Sequence, residues 1–155
     1  KIIEKILYEQ RINKNINKYV EWLKTQTDFR YNGNAEKRFP ILNNFIYWAY
    51  LGYNIGSEQE KHRPILVIRT EEKSEICTII PLSDSKLNDK YWYHIDLKER
   101  NSTALVEQIR TISKIRIDRP LRLKGKMVHI TREDWKKINE QISFLYKLKP
   151  LKEFH

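Results

Sequence analysis

Short apolar segments rich in β-branched and aromatic residues follow one another from residue 41 onwards, with polar loops between them. Segments of this length and composition are typical of β-strands. They are Ile41 to Leu51, Ile65 to Arg69, Glu75 to Leu82, Tyr91 to Leu97 and Ala104 to Ile112. Their spacing predicts a compact barrel or a strongly bent sheet, and therefore a mainly β fold to which helices are added.

The N-terminal part of the chain has a different pattern. From Lys1 to about Lys24, apolar residues recur every three or four positions, which predicts one or two amphipathic helices. The stretch Thr25 to Pro40 carries turn-forming and charged residues and is expected to be a linker. We therefore divide the chain into a helical extension with its linker, residues 1–40, and a barrel domain, residues 41–155.

A second helix is predicted near the C-terminus. Thr131 stands three residues before Asp134, the spacing of a capping box, and apolar residues follow at helical intervals. The helix is expected from about Arg132 to Lys147, with Pro150 as its stop.

Size and charge limit the classes of function. A chain of 155 residues buries one core, and its formal net charge of +10 favours RNA, DNA or an acidic protein as a partner. The single cysteine, Cys77, lies in an apolar stretch and is expected to be a core residue. No apolar run approaches the roughly 18 residues of a membrane span, so a cytoplasmic protein with no membrane contact is expected.

The pattern of metal-binding residues is also informative. The four histidines are scattered, and no paired His or Asp motif with the spacing of a metal site occurs. With four glycines in the chain, a glycine-rich phosphate loop is excluded as well. We therefore expect neither a metal nor another cofactor, and any catalysis would depend on Arg, Glu, His, Ser and Thr side chains.

Charged and hydroxyl side chains concentrate in the run Gly56 to Pro64, at the edge of a predicted strand. Arg63 is suited to stabilising a charged phosphate, and Glu58 or His62 could move a proton. Each of these residues could equally serve structure, since an arginine before proline can simply solvate a strand end. The run is therefore a candidate site and not yet an assigned one.

Two further groups of residues remain open in the same way. Glu107, Arg110 and Thr111 could line a site or could form a salt bridge and a cross-strand hydroxyl contact. The aromatic residues Tyr91, Trp92 and Tyr93 could stack on unpaired bases, although core packing is the commoner role of aromatics in a strand.

Five blocks of this sequence, taken in order, resemble the MazF/PemK family of toxins. The resemblance covers about residues 43 to 147, roughly two thirds of the chain, and the order and spacing of the blocks are more specific than any block alone. They read IYWAYLG at 46–52, NIGSEQ at 54–59, HRPILVI at 62–68, TIIPLS at 78–83 and LVEQIRTI at 105–112.

The resemblance implies an α+β fold, namely an SH3-like β-barrel of the MazF/PemK/CcdB type with a C-terminal helix, which forms a homodimer. It implies a toxin–antitoxin system in which the toxin is a metal-independent, sequence-selective endoribonuclease. Such an enzyme cleaves single-stranded RNA, including mRNA. The products carry a 2′,3′-cyclic phosphate and a 5′-hydroxyl. The implied partners are the RNA substrate and a cognate antitoxin protein that covers the RNA groove.

Site residues follow from the resemblance position by position. Arg63 matches the family's catalytic arginine, Glu58 the acidic residue of the first loop, and Ser83 a position where many members have threonine. His62 is kept as a second proton carrier. The residues expected to contact the substrate are Asn54, Gly56, Ser57, Gln59, Glu107, Gln108, Arg110 and Thr111.

The sequence also departs from the family. Asn43 to Phe45 stand where members commonly have Arg-Gly-Asp, and Tyr50 replaces a frequent Asp or Asn. The first forty residues have no counterpart in the compact toxins, and could be a packing helix, a dimerisation element, a built-in inhibitor or an adaptor. The alternative to an enzyme is a non-catalytic barrel that binds RNA or a protein target, as CcdB-like gyrase poisons do.

Overall fold

The computed structural model describes residues 1–34, 37–98 and 100–148. Two α-helices enclose the strands in the sequence: α1 (Ile2–Asn32) and α2 (Arg132–Leu145). The strands are β1 (Ile46–Tyr50), β2 (His62–Thr70), β3 (Ile76–Ser83), β4 (His94–Asp96), β5 (Thr103–Leu105), β6 (Arg110–Ser113), β7 (Ile117–Pro120), β8 (Arg122–Leu123) and β9 (Lys126–Met127). The predicted α+β fold is confirmed.

Strand connectivity bends the main sheet into a barrel. Every named pairing is antiparallel, and five strands lie in the order β6, β3, β2, β1, β7. The two edge strands, β6 and β7, are consecutive in the chain and are joined only by the 3₁₀ turn Lys114–Arg116. Because so short a link holds the two edges near each other, the sheet must curl.

The alternation of side chains gives the sheet two apolar faces. Ile65 and Val67 pack inside the barrel with Tyr47, whereas Leu66 between them packs on the opposite face with Ile80. All five are fully buried. The side chains that alternate along the strands therefore pack into two apolar clusters, one on each face, whereas many sheets have one buried and one solvated face.

Helix α2 covers the outer of these two clusters. Its Ile138 is buried there, and Ile142 and Leu145 pack beside it at helical spacing. The predicted capping box is confirmed: Thr131 Oγ1 accepts from the Asp134 amide at 3.1 Å, and Asp134 accepts from the Thr131 amide. The helix ends at Leu145, two residues before the predicted end, and Pro150 lies outside the described residues.

Helix α1 is longer than the sequence predicted. It continues to Asn32. The expectation of a linker that begins at Thr25 is therefore wrong for residues 25–32. The polar residues of this stretch bond within the helix: Thr25 Oγ1 donates to the Glu21 carbonyl, and Asn32 donates to Asp28. The division of the chain near residue 40 stays a prediction.

Two strand predictions also need correction. The segment Ala104 to Ile112 is not one strand, because the 3₁₀ helix Val106–Gln108 separates β5 from β6. The segment Tyr91 to Leu97 contributes only the three residues of β4, and its aromatic start forms a turn.

Two smaller expectations concern Cys77 and membrane contact. Cys77 is buried inside the barrel, and burial raises the pKa of its thiol to about 11. The core assignment is therefore confirmed. Within the described parts of the chain, neither helix combines the length and the apolar character that crossing a bilayer would require.

Candidate active site

Arg63 lies at one end of the barrel, on the second residue of β2. Its Nε donates to the Glu60 carbonyl at 2.7 Å, and its Nη1 donates to the side-chain oxygen of Gln59. Burial lowers the pKa of Arg63, while the charges of Glu60 and Asp84 act in the opposite direction. An arginine keeps its charge under such conditions, so this end of the barrel holds a half-buried cation.

Ser83 is the last residue of β3, the strand beside β2, and it pairs with Thr103 of β5. At this end the β2–β3 ladder stops at the pair Ile65 and Pro81, and Arg63 and Ser83 each lie two residues beyond that pair. Ser83 is buried, and its Oγ lies 3.1 Å from the Ser85 hydroxyl. Since residues two apart share a face, the hydroxyl and the guanidinium belong to the same side of the sheet.

Arg110, the first residue of β6, supplies a second cation. Its Nη2 donates to the Gln59 carbonyl at 2.6 Å. Burial lowers the pKa of Arg110, as do the charges of Arg116 and Arg63, whereas Glu58 raises it. Among the described residues, the buried Nε of Arg110 has no hydrogen-bond partner. Two neighbouring guanidiniums and an unused donor are suited to binding an anion such as phosphate.

Hydrogen bonds join the two ends of the loop between β1 and β2, residues 51–61, and also link its two sides near the middle. The Lys61 amide donates to the Gly52 carbonyl at 2.7 Å. Asn54 Nδ2 donates to the Gln59 carbonyl at 2.7 Å, and the Asn54 amide donates to Glu60. Gly52 has a φ of +107°, a conformation that favours glycine.

The tip of this loop is joined to the 3₁₀ helix Val106–Gln108. The Gln59 amide donates to Gln108 Oε1 at 2.7 Å, and Gln108 Nε2 donates to the Ser57 carbonyl at 3.2 Å. Gly56, with a φ of +61°, and Glu58 are exposed on the loop. The loop therefore offers an accessible carboxylate whose charge acts on Arg110 and opposes the lowering of its pKa by burial.

His62 lies on the other face of β2 from Arg63. Its Nε2 is 3.1 Å from Asp118 Oδ2, and its ring stacks between Trp48 and Tyr50 at centroid distances of 5.2 and 4.4 Å. Neighbouring strand residues point to opposite faces, which explains the separation. The structure thus does not bring His62 together with Arg63.

Two residues of the second run also turn away from Arg63. Thr111 follows Arg110 on β6, pairs with Thr78 and is exposed on the opposite face. Glu107 directs its carboxylate at His94, with Oε1 3.0 Å from Nε2. Of the predicted second run, Gln108 and Arg110 make the contacts with the loop.

The aromatic residues before β4 are not core residues. Tyr91 and Trp92 are 46% and 52% exposed, so the expectation that they pack in the core is wrong for both. Tyr93 is half-buried. Trp92 contacts the 71% exposed Phe144 of α2 at a centroid distance of 5.0 Å. An aromatic surface is therefore open to solvent on this side of the molecule.

Three acidic or basic residues of the site were missed by sequence reasoning. Glu60 supports the loop and Asp84 acts on Arg63, and both stand within or beside blocks already singled out. His94 is the third, and its contact with Glu107 spans 13 positions with no local motif to mark it. Asp84 could have been identified from the sequence, because it directly follows the candidate residue Ser83.

A known protein family matches the barrel. The model of a family described as PemK-like, MazF-like toxin of type II toxin–antitoxin system matches residues 44–146. The Endoribonuclease EndoA of Bacillus subtilis (strain 168) is 34% identical over 106 residues, which are 63% of this chain and 86% of that protein.

Solved structures show the same fold. MazF from Deinococcus radiodurans matches with a TM-score of 0.58 at 13% identity, over 71% of this chain and 99% of that one. An endoribonuclease from a mycobacterial species, solved with its cognate antitoxin, matches with a TM-score of 0.53 at 15% identity, over 72% and 100%. Taken with the family match, they lead to one conclusion: the chain belongs to the PemK-like, MazF-like toxins of type II toxin–antitoxin systems.

Proposed function

We propose that this chain is an endoribonuclease toxin that cuts single-stranded RNA by attack of the ribose 2′-hydroxyl, without a metal ion. The observation that carries the proposal is a pair of guanidiniums, Arg63 and Arg110, that both donate to Gln59 at the barrel end where β3 finishes with Ser83. The homologue with 34% identity bears the name endoribonuclease, which supports the same reaction class. The products would be a 2′,3′-cyclic phosphate and a 5′-hydroxyl.

The RNA carries its own nucleophile, so the protein needs to move protons and stabilise charge. The 2′-hydroxyl gives its proton to a base as its oxygen bonds to phosphorus, and the bond from phosphorus to the 5′-oxygen breaks. The 5′-oxygen takes up a proton from water, and the base then releases the accepted proton to the solvent. Arg63 and Arg110 stabilise the phosphorane, and Ser83 donates to a phosphate oxygen. We assign the base to Glu58, because His62 is bound to Asp118 on the other face of β2.

The loop 51–61 is positioned to select bases. Its tip is exposed and carries the amide groups of Gly56 and Ser57, while the Ser57 carbonyl accepts from Gln108. Asn54 and Gln59 are engaged in holding the loop, so we assign them to shaping it. Tyr91 and Trp92 are about half exposed, and stacking on unpaired bases is worth about 1–3 kcal/mol per base.

The proposed partners follow from the relatives and from charge. A mycobacterial relative was solved with its cognate antitoxin, and we propose that a cognate antitoxin inhibits this chain by covering the arginine cleft. We also propose a homodimer, as the family resemblance implies. The net charge of +10 attracts both the RNA and an acidic inhibitor.

The test is cleavage of a long defined single-stranded transcript in EDTA. We expect Arg63→Ala to lower the cleavage rate about 100- to 1000-fold, because a charge-stabilising donor is lost from the transition state. The matched control is Arg69→Ala, on the same strand but at its far end, where Arg69 is exposed and pairs with Glu71. Arg69→Ala should cleave like the wild type.

Mapping the ends of the products completes the test. Fragments should carry a 5′-hydroxyl and a cyclic phosphate, and a 2′-deoxy residue at the cut position should stop the reaction. A strict need for Mg²⁺, or products without the cyclic phosphate, would refute the mechanism. Toxicity of Arg63→Ala in cells whose RNA stays intact would favour the non-catalytic, CcdB-like alternative.

A further inference from the structure

A histidine outside the arginine cleft is held between two carboxylates. His94 Nδ1 lies 2.7 Å from Asp89 Oδ2, and His94 Nε2 lies 3.0 Å from Glu107 Oε1. The histidine side chain is only 8% exposed. Through these two contacts the side chain joins the β3–β4 loop to the 3₁₀ helix Val106–Gln108.

Two tyrosine rings and the charge of Lys86 surround this histidine and its carboxylates. Tyr91 and Tyr93 contact the His94 ring edge-on, at centroid distances of 5.3 and 5.1 Å. Burial raises the pKa of Asp89, but hydrogen bonds from His94 and the Tyr91 amide, together with the charges of His94 and Lys86, outweigh it. The pKa of Asp89 lies below its ordinary value as a result.

Contacts on the Glu107 side lead from His94 towards Arg63. Glu107 and Gln108 are consecutive in one 3₁₀ turn, whose carbonyls at Val106 and Glu107 also accept from the Tyr146 hydroxyl. Gln108 accepts from the Gln59 amide at 2.7 Å.

Gln59 completes the connection. Its side-chain oxygen accepts from Arg63, and its carbonyl accepts from Arg110. A displacement of the turn Val106–Gln108 would therefore move the residue that fixes both guanidiniums. The other oxygen of Glu107, Oε2, is buried without a partner among the described residues, so this carboxylate depends on His94 for its position.

We propose that His94 is a positioning residue, which holds Glu107 by the contact of Nε2 with Oε1 and thereby keeps Gln108, the loop 51–61 and Arg63 in their working arrangement. This inference rests on the proposed cleavage of RNA. His94 does not touch the substrate in this role, and acts through Glu107.

The first measurement needs no RNA. Amide hydrogen exchange of residues 54–60 should be faster in His94→Gln than in the wild type. The matched control is His129→Gln, an exposed histidine whose Nδ1 contacts the Ile130 carbonyl, and it should leave loop exchange unchanged.

The second measurement is cleavage kinetics. His94→Gln should lower kcat about 10- to 100-fold through misplacement of Arg63, with a smaller change in KM. Glu107→Gln should have a similar effect, and the double variant should lose no more than either single one, because both break the same link. If His94→Gln does not fold, Glu107→Gln carries the test alone.

The outcomes separate the two proposals. Loop exchange and kcat in His94→Gln equal to those of His129→Gln would overturn the positioning role while RNA cleavage stands. A wild-type protein that cleaves no RNA would instead overturn the proposed function, and the exchange results would still decide whether His94 holds the loop.

Discussion

Strand β2 and helix α1 both place apolar side chains at the spacing of their own secondary structure, and only one of them buries these side chains. Leu66 and Val67 of β2 are 0% exposed, whereas Ile12 and Ile16 of α1 are 37% and 51% exposed. Not one residue of α1 is buried. Apolar spacing therefore predicts conformation and face, but burial needs a second element that covers that face.

The reason lies in the neighbours that each element has. Strand β2 pairs with β1 on one side and β3 on the other, and α2 covers the cluster on its outer face. Helix α1 meets the barrel through ring contacts of Tyr19 and Phe29, and through Trp22 beneath the Arg116 guanidinium. The family match begins at residue 44, so α1 lies outside the shared fold.

The largest expected effect is a matched pair of truncations, one in each region. Leu66→Ala should lower the free energy of unfolding by about 2–5 kcal/mol, because it leaves a cavity in a closed cluster. Ile12→Ala should change it by less than about 0.5 kcal/mol, since the side chain is on the surface. Denaturant unfolding of both variants measures the difference, and equal losses would show that the face of α1 is covered in solution.

The pattern of strands and the capping box of α2 could be predicted from the sequence, because both depend on local order. The far end of α1 could not be predicted. Thr25 and Asp28 are typical of loops, and nothing local shows that Trp22 and Phe29 find partners on the barrel at Arg116 and Tyr50. Tertiary contacts here outweigh local preference.

The same limit applies to the candidate site. Arg63 and Ser83 share a face by strand register, which a correct assignment of two neighbouring strands makes accessible. The contact of His62 with Asp118 spans 56 positions, so sequence alone could not choose between His62 and Glu58 as the proton carrier. The sequence identifies candidate residues at the strand ends. Only the folded sheet shows to which face each of their side chains points.

A smaller effect is expected at the helix ends and interiors. Thr131→Ala should cost about 1 kcal/mol, since Thr131 Oγ1 accepts from the Asp134 amide at the start of α2. Thr27→Ala in α1 should be neutral or slightly stabilising, because Thr27 Oγ1 only donates back to the Leu23 carbonyl, and alanine is the better helix former. Thermal unfolding followed by circular dichroism compares the two. A cost at Thr27 as large as that at Thr131 would contradict the view that α1 adds little to the stability of the barrel.

The smallest effect should follow the removal of residues 1–18, all of which are exposed. This deletion keeps Tyr19, Trp22 and Phe29, the side chains that contact the barrel. We expect helical circular dichroism to fall while the free energy of unfolding changes by less than about 0.5 kcal/mol. A larger loss that depends on protein concentration would mean that a second copy covers the apolar face of α1, since only association makes stability depend on concentration. A loss independent of concentration would instead place that face against the barrel of the same chain, and the contrast between the two regions would then be one of degree.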